Sequence, residues 1–351
     1  MRILPFLAGV LLVFLVSCNR NANGKLSFGL DSFTEQMLHY SEAQKYTTDD
    51  LFIGKATGIK VHPDGFIVIK DTKSEDQIQI IDLQNGSTEL FIKRGQGPLE
   101  LLSVRDVAIY NDDVWVSGMH EGRVIRLSFN RDLRKFEVSE AFNLSKSNFF
   151  RAFPLADNRF LILSDPTSGK RMEIIDNQGG ILREAGSFPE IPIRGNFRLN
   201  NAFLQSAVTV APNNEHVAVI CYSIDYIDIY TTETWELKKR LRGPLGAEVE
   251  FAERETPEGH KLFGQKPLFF MYRTAASHNE MFFVSYNGIE AKSEKDFARR
   301  PQRIFSFDWN GQPLKCYHFD FPVHCFDVDW NNKKLYCITE NPESEIVIFD
   351  I

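Results

Sequence analysis

Residues 58–71 read GIKVHPDGFIVIKD, and QIQIIDL follows at 77–83. A short alternating run leads into a PDG turn, and a strongly apolar run comes directly after it. Alternation with a period of two is typical of β-strands, and Pro, Asp and Gly favour tight turns between strands. This stretch therefore predicts three antiparallel strands joined by short turns.

The same pattern recurs six times along the chain, in copies that begin at residues 58, 104, 150, 208, 273 and 325. The turns read PDG, NDD, ADN, PNN, SHN and WNN, which tolerate left-handed backbone or form Asx turns. A further short strand lies between successive copies, so each unit holds four strands. Repeats of this kind are the signature of propeller blades. The sequence predicts an all-β fold, a six-bladed β-propeller of four-stranded antiparallel blades, as one domain over residues 29–351.

The sixth copy ends with EIVIFDI at 345–351 and supplies only three strands. Its fourth strand has to come from another part of the chain. We predict that an N-terminal strand within Gly29–Gly54 lies beside Glu345–Ile351 and closes the ring. Closure by both termini removes a sheet edge that would otherwise invite aggregation.

The chain begins with a signal-like segment. Arg2 precedes an apolar run over residues 3–16, which is shorter than the roughly 20 residues that span a membrane. Leu15-Val16-Ser17-Cys18 resembles the bacterial lipobox, in which a peptidase cuts before a lipidated cysteine. We expect a signal peptide at 1–17, lipidation at Cys18 and a tether over 18–28. The alternative is an ordinary secretory signal with an incidental cysteine.

Composition restricts the partners. The formal charge is −7, and without a Lys/Arg block an acidic chain is a poor candidate for nucleic acid. Cys221, Cys316, Cys325 and Cys337 form no CxxC pair and have no histidine at metal-ligand spacing. Buried free thiols, no metal and no cofactor are the expectation. A disulfide stays open for Cys325 and Cys337, which are close in the proposed hairpin.

Enzyme motifs are scarce. The sequence contains no G-x-S-x-G elbow, no H-E-x-x-H, no Walker loop and no D-x-D-x-D-G calcium loop. A lyase or hydrolase of the propeller type would need a metal or a histidine with carboxylates at the channel mouth. The scattered candidates are His120, His260 and His324. Catalytic residues cannot be assigned from sequence, and a non-enzymatic role is favoured.

A glycine-rich loop, RGQGPLE at 94–100, has two interpretations. Its glycines could hold a phosphate, or they could let the chain swing from one blade to the next. A phosphate loop follows a buried strand and opens a helix, whereas this loop lies between an outer strand and another strand pair. A second copy, RGPLG at 242–246, occupies the same place in a later unit. The sequence favours the hinge.

Arginine recurs at one equivalent position of the repeat. Arg105, Arg151 and Arg273 stand nine residues before Val114, Phe160 and Phe282, and Thr57 takes that place in the first blade. The position opens the innermost strand at the face that also carries the long insertions 188–205, 243–272 and 287–302. We predict ligand binding there by Arg94, Gln96, Arg105, Arg151 and Arg273, since guanidinium groups suit carboxylates and acidic or sulfated sugars. Alternatively, each arginine pairs with a neighbouring carboxylate such as Glu100 or Asp106.

The lipobox-like segment, the six repeats and the Gly95-Gln96-Gly97-Pro98-Leu99-Glu100 element together resemble the TolB-like six-bladed propeller lipoproteins of Bacteroidetes. The resemblance implies a propeller anchored by lipid in the cell envelope. Asn19-Arg20-Asn21, which carries no acidic residue after Cys18, implies an outer-membrane anchor that faces the periplasm. The expected function is a binding or protein-interaction module for an anionic glycan, a peptide or an envelope protein. The alternative is a lyase or hydrolase that acts on a glycan or peptide at the channel mouth.

Overall fold

The structure is a computed structural model, and it describes most of the chain. The described residues are 25–47, 53–118, 121–144, 149–164, 168–191, 193–194, 204–246, 251–256, 259–264, 268–291, 300–340 and 343–351. Cys18 and the predicted signal peptide lie outside them. No helix in this described part is long and apolar enough to span a membrane.

Three short strands come first, and the blades follow in chain order. The strands are Lys25–Ser27 (β1), Thr34–Leu38 (β2) and Gln44–Tyr46 (β3). Blade 1 contains Ala56–His62 (β4), Phe66–Asp71 (β5), Asp76–Asp82 (β6) and Thr88–Lys93 (β7). Blade 2 contains Val104–Tyr110 (β8), Asp113–Gly118 (β9), Arg123–Asn130 (β10) and Lys135–Asn143 (β11). Blade 3 contains Phe149–Leu155 (β12), Arg159–Ser164 (β13), Met172–Ile175 (β14) and Ile181–Ala185 (β15).

The second half repeats the arrangement. Ile193–Arg194 (β16) precedes blade 4, which contains Ser206–Val210 (β17), His216–Cys221 (β18), Tyr226–Thr231 (β19) and Leu237–Arg242 (β20). Phe251–Thr256 (β21) and Gly259–Gly264 (β22) precede blade 5, which contains Leu268–Ser277 (β23), Met281–Ala291 (β24), Arg303–Asp308 (β25) and Pro313–Phe319 (β26). Blade 6 contains Cys325–Asp329 (β27), Lys334–Glu340 (β28) and Ser344–Asp350 (β29). The prediction of six four-stranded antiparallel blades is confirmed.

The N-terminal strand closes the ring, as the sequence predicts. Strand β3 pairs antiparallel with β29, with Tyr46 opposite Ile346 and Gln44 opposite Ile348. Blade 6 thereby acquires its fourth strand. The first and last parts of the described chain thus meet in one sheet.

The N-terminal segment also adds parallel strands to two further blades, which the sequence does not predict. Strand β1 pairs in parallel with β20 of blade 4, and β2 pairs in parallel with β26 of blade 5. Residues 25–46, named the N-terminal belt here, therefore run along the outer edges of blades 4, 5 and 6. Phe33 stacks on Phe305 at a centroid separation of 4.5 Å and fixes the belt to the blade core. The belt covers edges that would otherwise expose unpaired backbone groups.

Apolar side chains from neighbouring blades fill the spaces between them. Phe66 and Val68 of blade 1 pack in one cluster with Val114 and Ile125 of blade 2. Each such buried side chain contributes about 1.5–3 kcal/mol relative to exposure. The innermost strands of adjacent blades also contact one another, as β4 does with β8 and with β27. These contacts bring the starts of the inner strands together around the axis.

The insertions before blades 4 and 5 meet. Strand β16 pairs in parallel with β21, and β21 forms an antiparallel hairpin with β22. Two segments that the sequence places on one face thus share a small sheet. Of the third insertion, residues 292–299 lie outside the described part of the chain.

The four described cysteines are free and buried. Cys325 lies opposite Ile338, and Cys337 lies opposite Phe326. Because paired residues share a face and neighbours alternate, the two thiols point to opposite sides of blade 6. Their geometry therefore rules out the disulfide that the sequence left open.

Candidate functional site

A cavity of about 880 Å³ lies along the propeller axis. The innermost strands of all six blades, β4, β8, β12, β17, β23 and β27, line it. Its size is that of a cavity for a small organic ligand. The cavity is the candidate functional site.

The lining of this cavity is basic, although the whole chain carries a formal charge of −7. Among the described residues, the charged lining consists of Lys60, Lys70, Arg105, Arg151 and Arg273 against Asp106, Asp112 and Asp327. A concave site surrounded by low-dielectric protein focuses such charge. The described lining of the cavity therefore carries more positive than negative groups.

Arg151 of blade 3 is hydrogen-bonded to side chains of both neighbouring blades. One guanidinium NH group donates to Asp106 of blade 2, and another donates to the Tyr222 hydroxyl of blade 4. The same guanidinium lies 5.5 Å from the centroid of the Tyr222 ring. At this position the carboxylate-pairing alternative is what the structure shows.

Arg105 of blade 2 differs from Arg151 in that its guanidinium is unpaired within the described part of the chain. It lines the cavity, yet among the described residues its guanidinium has no hydrogen-bond or ion-pair partner, and its Nε atom is buried. Burial lowers the pKa of Arg105, and the nearby Arg151 adds to the effect. The second carboxylate oxygen of Asp106 is buried and without a partner as well. Buried polar groups are normally satisfied, so these two unpaired atoms make Arg105 and Asp106 candidate contacts for a ligand.

Arg273 of blade 5 completes the trio. It lines the same cavity, and its guanidinium lies 5.8 Å from the centroid of Phe270. Burial and Arg300 lower its pKa. The structure thus brings Arg105, Arg151 and Arg273 to one site, and their role in binding a ligand stays a prediction.

Lys70 also lines the cavity, which the repeat pattern does not predict. It belongs to β5, the second strand of blade 1, where it lies opposite Gly58 of β4. A Cβ atom on Gly58 would lie 3.4 Å from both Cβ and Cε of Lys70. The lysine side chain therefore runs over the glycine, and its Nζ donates to the Arg105 carbonyl at 2.7 Å. The available signal is a lysine that directly follows the apolar run of a strand and lies opposite a glycine.

Lys70, Arg105, Asp106, Arg151 and Tyr222 form what we name the upper level of the cavity. A lower level is formed by Lys60, Asp327, Thr209 and Ser277. Lys60 Nζ of blade 1 lies 3.3 Å from both the Asp327 carboxylate of blade 6 and the Ala275 carbonyl of blade 5. Asp327 also accepts from the Val61 N–H at 2.8 Å, and burial raises the pKa of this carboxyl. Thr209 donates to Ser277 at 2.8 Å and so joins blades 4 and 5.

Arg94 and Gln96 are exposed and do not line the cavity. Arg94 instead donates to the carbonyls of Leu102 and Thr72 at 3.0 and 2.9 Å. It ties the interblade crossing to the adjacent loop of blade 1. The ligand role predicted for these two residues stays a prediction.

The glycine loop is filled by its own carboxylate. The Gly97 N–H donates to Glu100 Oε2 at 2.9 Å, and a Cβ on Gly95 or Gly97 would collide with the Glu100 side chain. In the second copy, Asp225 accepts from the N–H groups of Leu245 and Gly246 at 2.9 and 3.0 Å. Internal carboxylates thus occupy the place where a phosphate would bind. The hinge interpretation accounts for the glycines.

One group of side chains in the described part of the chain has metal-ligand composition, namely His62, Asp64 and Asp112. Both ring nitrogens of His62 are engaged: Nε2 donates to the Asp112 carbonyl at 2.7 Å, and Nδ1 accepts from the Asp64 N–H at 3.2 Å. Arg131 lies 3.4 and 2.8 Å from the carboxylates of Asp64 and Asp112. The contacts of this group are those of a salt-bridged turn.

The histidines named for an enzyme do not converge in the described structure. His120 lies outside the described residues, and the side chain of His260 is not described. His324 accepts from Arg300 at 3.3 Å and lies 3.6 Å from Glu340. Burial lowers its pKa, and Arg300 acts in the same direction. Nothing in these contacts assigns His324 a catalytic role.

Blades and cavity together define a six-bladed β-propeller with a basic central cavity. A family model described as TolB-like 6-blade propeller-like matches residues 32–331. The chain therefore belongs to the TolB-like six-bladed propeller family. No protein with a curated description matches this chain.

Two solved structures resemble the chain in outline. Raptor from Chaetomium thermophilum shares 10% sequence identity at a TM-score of 0.49, over 89% of this chain and 30% of Raptor. This chain thus spans less than a third of the length of Raptor. The β-propeller domain of Cps50 (Swd1) from Myceliophteria thermophila shares 10% identity at a TM-score of 0.44, over 88% of this chain and 99% of that domain. Neither likeness bears on function.

Proposed function

We propose that this protein is a lipid-anchored, extracytoplasmic binding protein whose central cavity holds an anionic organic ligand. The observation that carries the proposal is Arg105. This residue lines the cavity, its guanidinium has no partner among the described residues, and its Nε is buried. A ligand carboxylate or sulfate would supply the missing acceptor.

The physical reason lies in the cost of a charge that is unpaired and partly buried. Such a group loses part of its hydration without compensation, which is unfavourable. An arginine offers a planar fork of donors that matches a carboxylate with two parallel hydrogen bonds. Lys70 and Arg273 add positive charge to the same cavity. Anion binding would therefore compensate the guanidinium of Arg105 and the ammonium of Lys70, which have no anionic partner among the described residues.

The cavity also provides surface for a carbon skeleton. Phe153, Phe270 and Trp330 line it together with Tyr222. Aromatic walls beside a few directed polar groups are typical of small-molecule sites. An acidic sugar or an acidic peptide end matches this combination of ring surface and positive charge. We propose the acidic sugar unit of a glycan as the first ligand class to test.

The cellular setting rests on the N-terminal sequence. Arg2, the apolar run and Leu15-Val16-Ser17-Cys18 support lipidation at Cys18. The proposed location is the cell envelope, at the outer membrane facing the periplasm. An envelope protein is a further candidate partner there. Exchange of residues 1–18 for an ordinary cleavable secretory signal, which leaves no cysteine, should move the protein from the membrane fraction to the soluble periplasmic fraction. Unchanged membrane association of that variant would contradict the lipid anchor.

Ligand binding can be followed through Trp330, which lines the cavity. Galacturonate oligomers and an acidic peptide are titrated against the folded protein, with neutral galactose oligomers as the matched control. The expected result is a saturable change in tryptophan fluorescence with galacturonate, absent in Trp330→Phe and absent with the neutral sugar. Equal responses to charged and neutral sugars, or none to any anion, would overturn the proposal.

A further inference from the structure

Lys70 is an amine with an unusual setting. Its side chain crosses the innermost strand over Gly58, and its Nζ ends at the Arg105 carbonyl, 2.7 Å away. Among the described residues no carboxylate lies within ion-pair distance of Nζ. By contrast, Lys60 on the neighbouring strand lies 3.3 Å from the Asp327 carboxylate. Two lysines of one blade thus enter one cavity, and only Lys60 has a counter-ion.

The groups that surround Lys70 come from three blades. Blade 2 contributes Arg105 and Asp106, blade 3 contributes Arg151, and blade 6 contributes the Cys325 thiol. Asp106 favours the charged ammonium, but this carboxylate is already paired with Arg151. Burial lowers the pKa of Lys70 to about 8, and the guanidinium groups of Arg151 and Arg105 act in the same direction. A usable fraction of Lys70 is therefore neutral and nucleophilic near neutral pH.

We propose that Lys70 is a covalent capture site, which forms an imine with a carboxylate ligand that also carries an aldehyde or ketone. This inference rests on the proposed anion-binding function and narrows its ligand class. Arg105 receives the carboxylate, and the carbonyl carbon meets Lys70 Nζ. Open-chain sugar acids and small oxo acids have both groups.

The step balances without an oxidant or a reductant. The Nζ lone pair forms a bond to the carbonyl carbon, and a proton moves from nitrogen to the carbonyl oxygen to give a carbinolamine. The carbon–oxygen bond then breaks, and the hydroxyl leaves with a proton as water. A carbon–nitrogen double bond remains, and hydrolysis reverses the sequence. The protein's contribution is an unprotonated amine beside a carboxylate-binding group.

The test uses the full chain with glyoxylate, the smallest carboxylate aldehyde, and sodium cyanoborohydride to trap the imine. Peptide mapping by mass spectrometry then locates the adduct. Lys70 should be labelled at least tenfold faster than Lys60. Acetaldehyde, which has no carboxylate, serves as the matched reagent, and the preference of Lys70 for glyoxylate should fall at least tenfold in Arg105→Ala.

Labelling of exposed lysines with Lys70 untouched would overturn the proposal. Because the wild-type chain reports on Lys70 directly, this outcome does not depend on any variant that fails to fold. If galacturonate still binds while Lys70 stays unlabelled, the imine is wrong and the anion site stands. If neither reagent nor galacturonate engages the cavity, both proposals fail.

Discussion

The two levels of the central cavity differ in how their charges are paired. At the lower level, Lys60 meets Asp327, and Thr209 meets Ser277, so that hydrogen bonds join blade to blade. At the upper level, Arg151 pairs with the Asp106 carboxylate. Arg105 and Lys70 then have no anionic partner among the described residues. The paired groups of the lower level stabilise the contacts between blades, whereas the unpaired cations of the upper level are free to bind an anionic ligand in the proposed function. Substitutions at the lower level should therefore mainly change the free energy of unfolding, and substitutions at the upper level should mainly change ligand affinity.

The largest effect is expected from breaking the lower level with Asp327→Ala. This change removes the acceptor for both Lys60 and the Val61 N–H, and it leaves a partly buried ammonium uncompensated. We expect the free energy of unfolding to fall by about 2–4 kcal/mol, as measured by urea denaturation. The matched change Asp350→Ala, at an exposed carboxylate of β29, should stay within about 0.5 kcal/mol. Equal losses of unfolding free energy in the two variants would contradict a stabilising role of the Lys60–Asp327 pair.

The next effect concerns binding at the upper level. Arg105→Ala should weaken galacturonate binding by about 10- to 100-fold, because a charge-assisted pair contributes roughly 1.5–3 kcal/mol. Isothermal titration calorimetry measures it. Arg183→Ala, at an exposed arginine on the outer strand of blade 3, is the control and should bind as the wild type does. Unfolding free energy should be unchanged or higher in Arg105→Ala, the reverse of the lower-level result.

A smaller effect follows from the protonation of Lys70. Its pKa is lowered from 10.5 to about 8 on folding, so the unfolded chain binds more protons between these pH values. Stability conferred at this site is therefore lowest below pH 8 and rises as pH increases toward 10.5. Compared with Lys70→Met, the wild type should gain about 1–2 kcal/mol between pH 7.5 and 10, less than the full shift because the side chain is partly exposed. A constant difference across this range would contradict the lowered pKa.

The smallest effect is expected from Gly58→Ala. The added methyl group lies at ordinary contact distance from the Lys70 side chain, so unfolding free energy should change by less than about 1 kcal/mol. Because the methyl group lies against the Lys70 side chain, it should also restrict that side chain and slow its labelling by glyoxylate severalfold. Unchanged labelling would show that Gly58 does not position the lysine.

The repeat pattern alone predicts the blades because each is a local unit of alternating strands and Asx-type turns. Ring closure follows from counting strands in the last copy. Parallel pairing of the N-terminal belt is not predictable in the same way, since Thr34–Leu38 shows no alternation and finds its partner in a blade far along the chain. The outer strand edges with which the belt pairs are formed only when the blades have folded, so the local sequence does not identify them.

The site shows the same division. Periodicity places Arg105, Arg151 and Arg273 at one cavity, because equivalent positions of a repeat converge around the axis. It does not reveal that Asp106 pairs with Arg151 rather than with its chain neighbour Arg105. Nor does it place Lys70, whose side chain crosses Gly58 on the paired strand and donates to the Arg105 carbonyl. These details arise from contacts between blades.

The most direct measurement is a crystal structure of the protein soaked with galacturonate. We predict the sugar in the central cavity, with its carboxylate within hydrogen-bond distance of the Arg105 guanidinium and Asp327 still paired with Lys60. Galacturonate bound elsewhere on the surface, or a cavity in which the guanidinium of Arg105 contacts only water, would contradict the account.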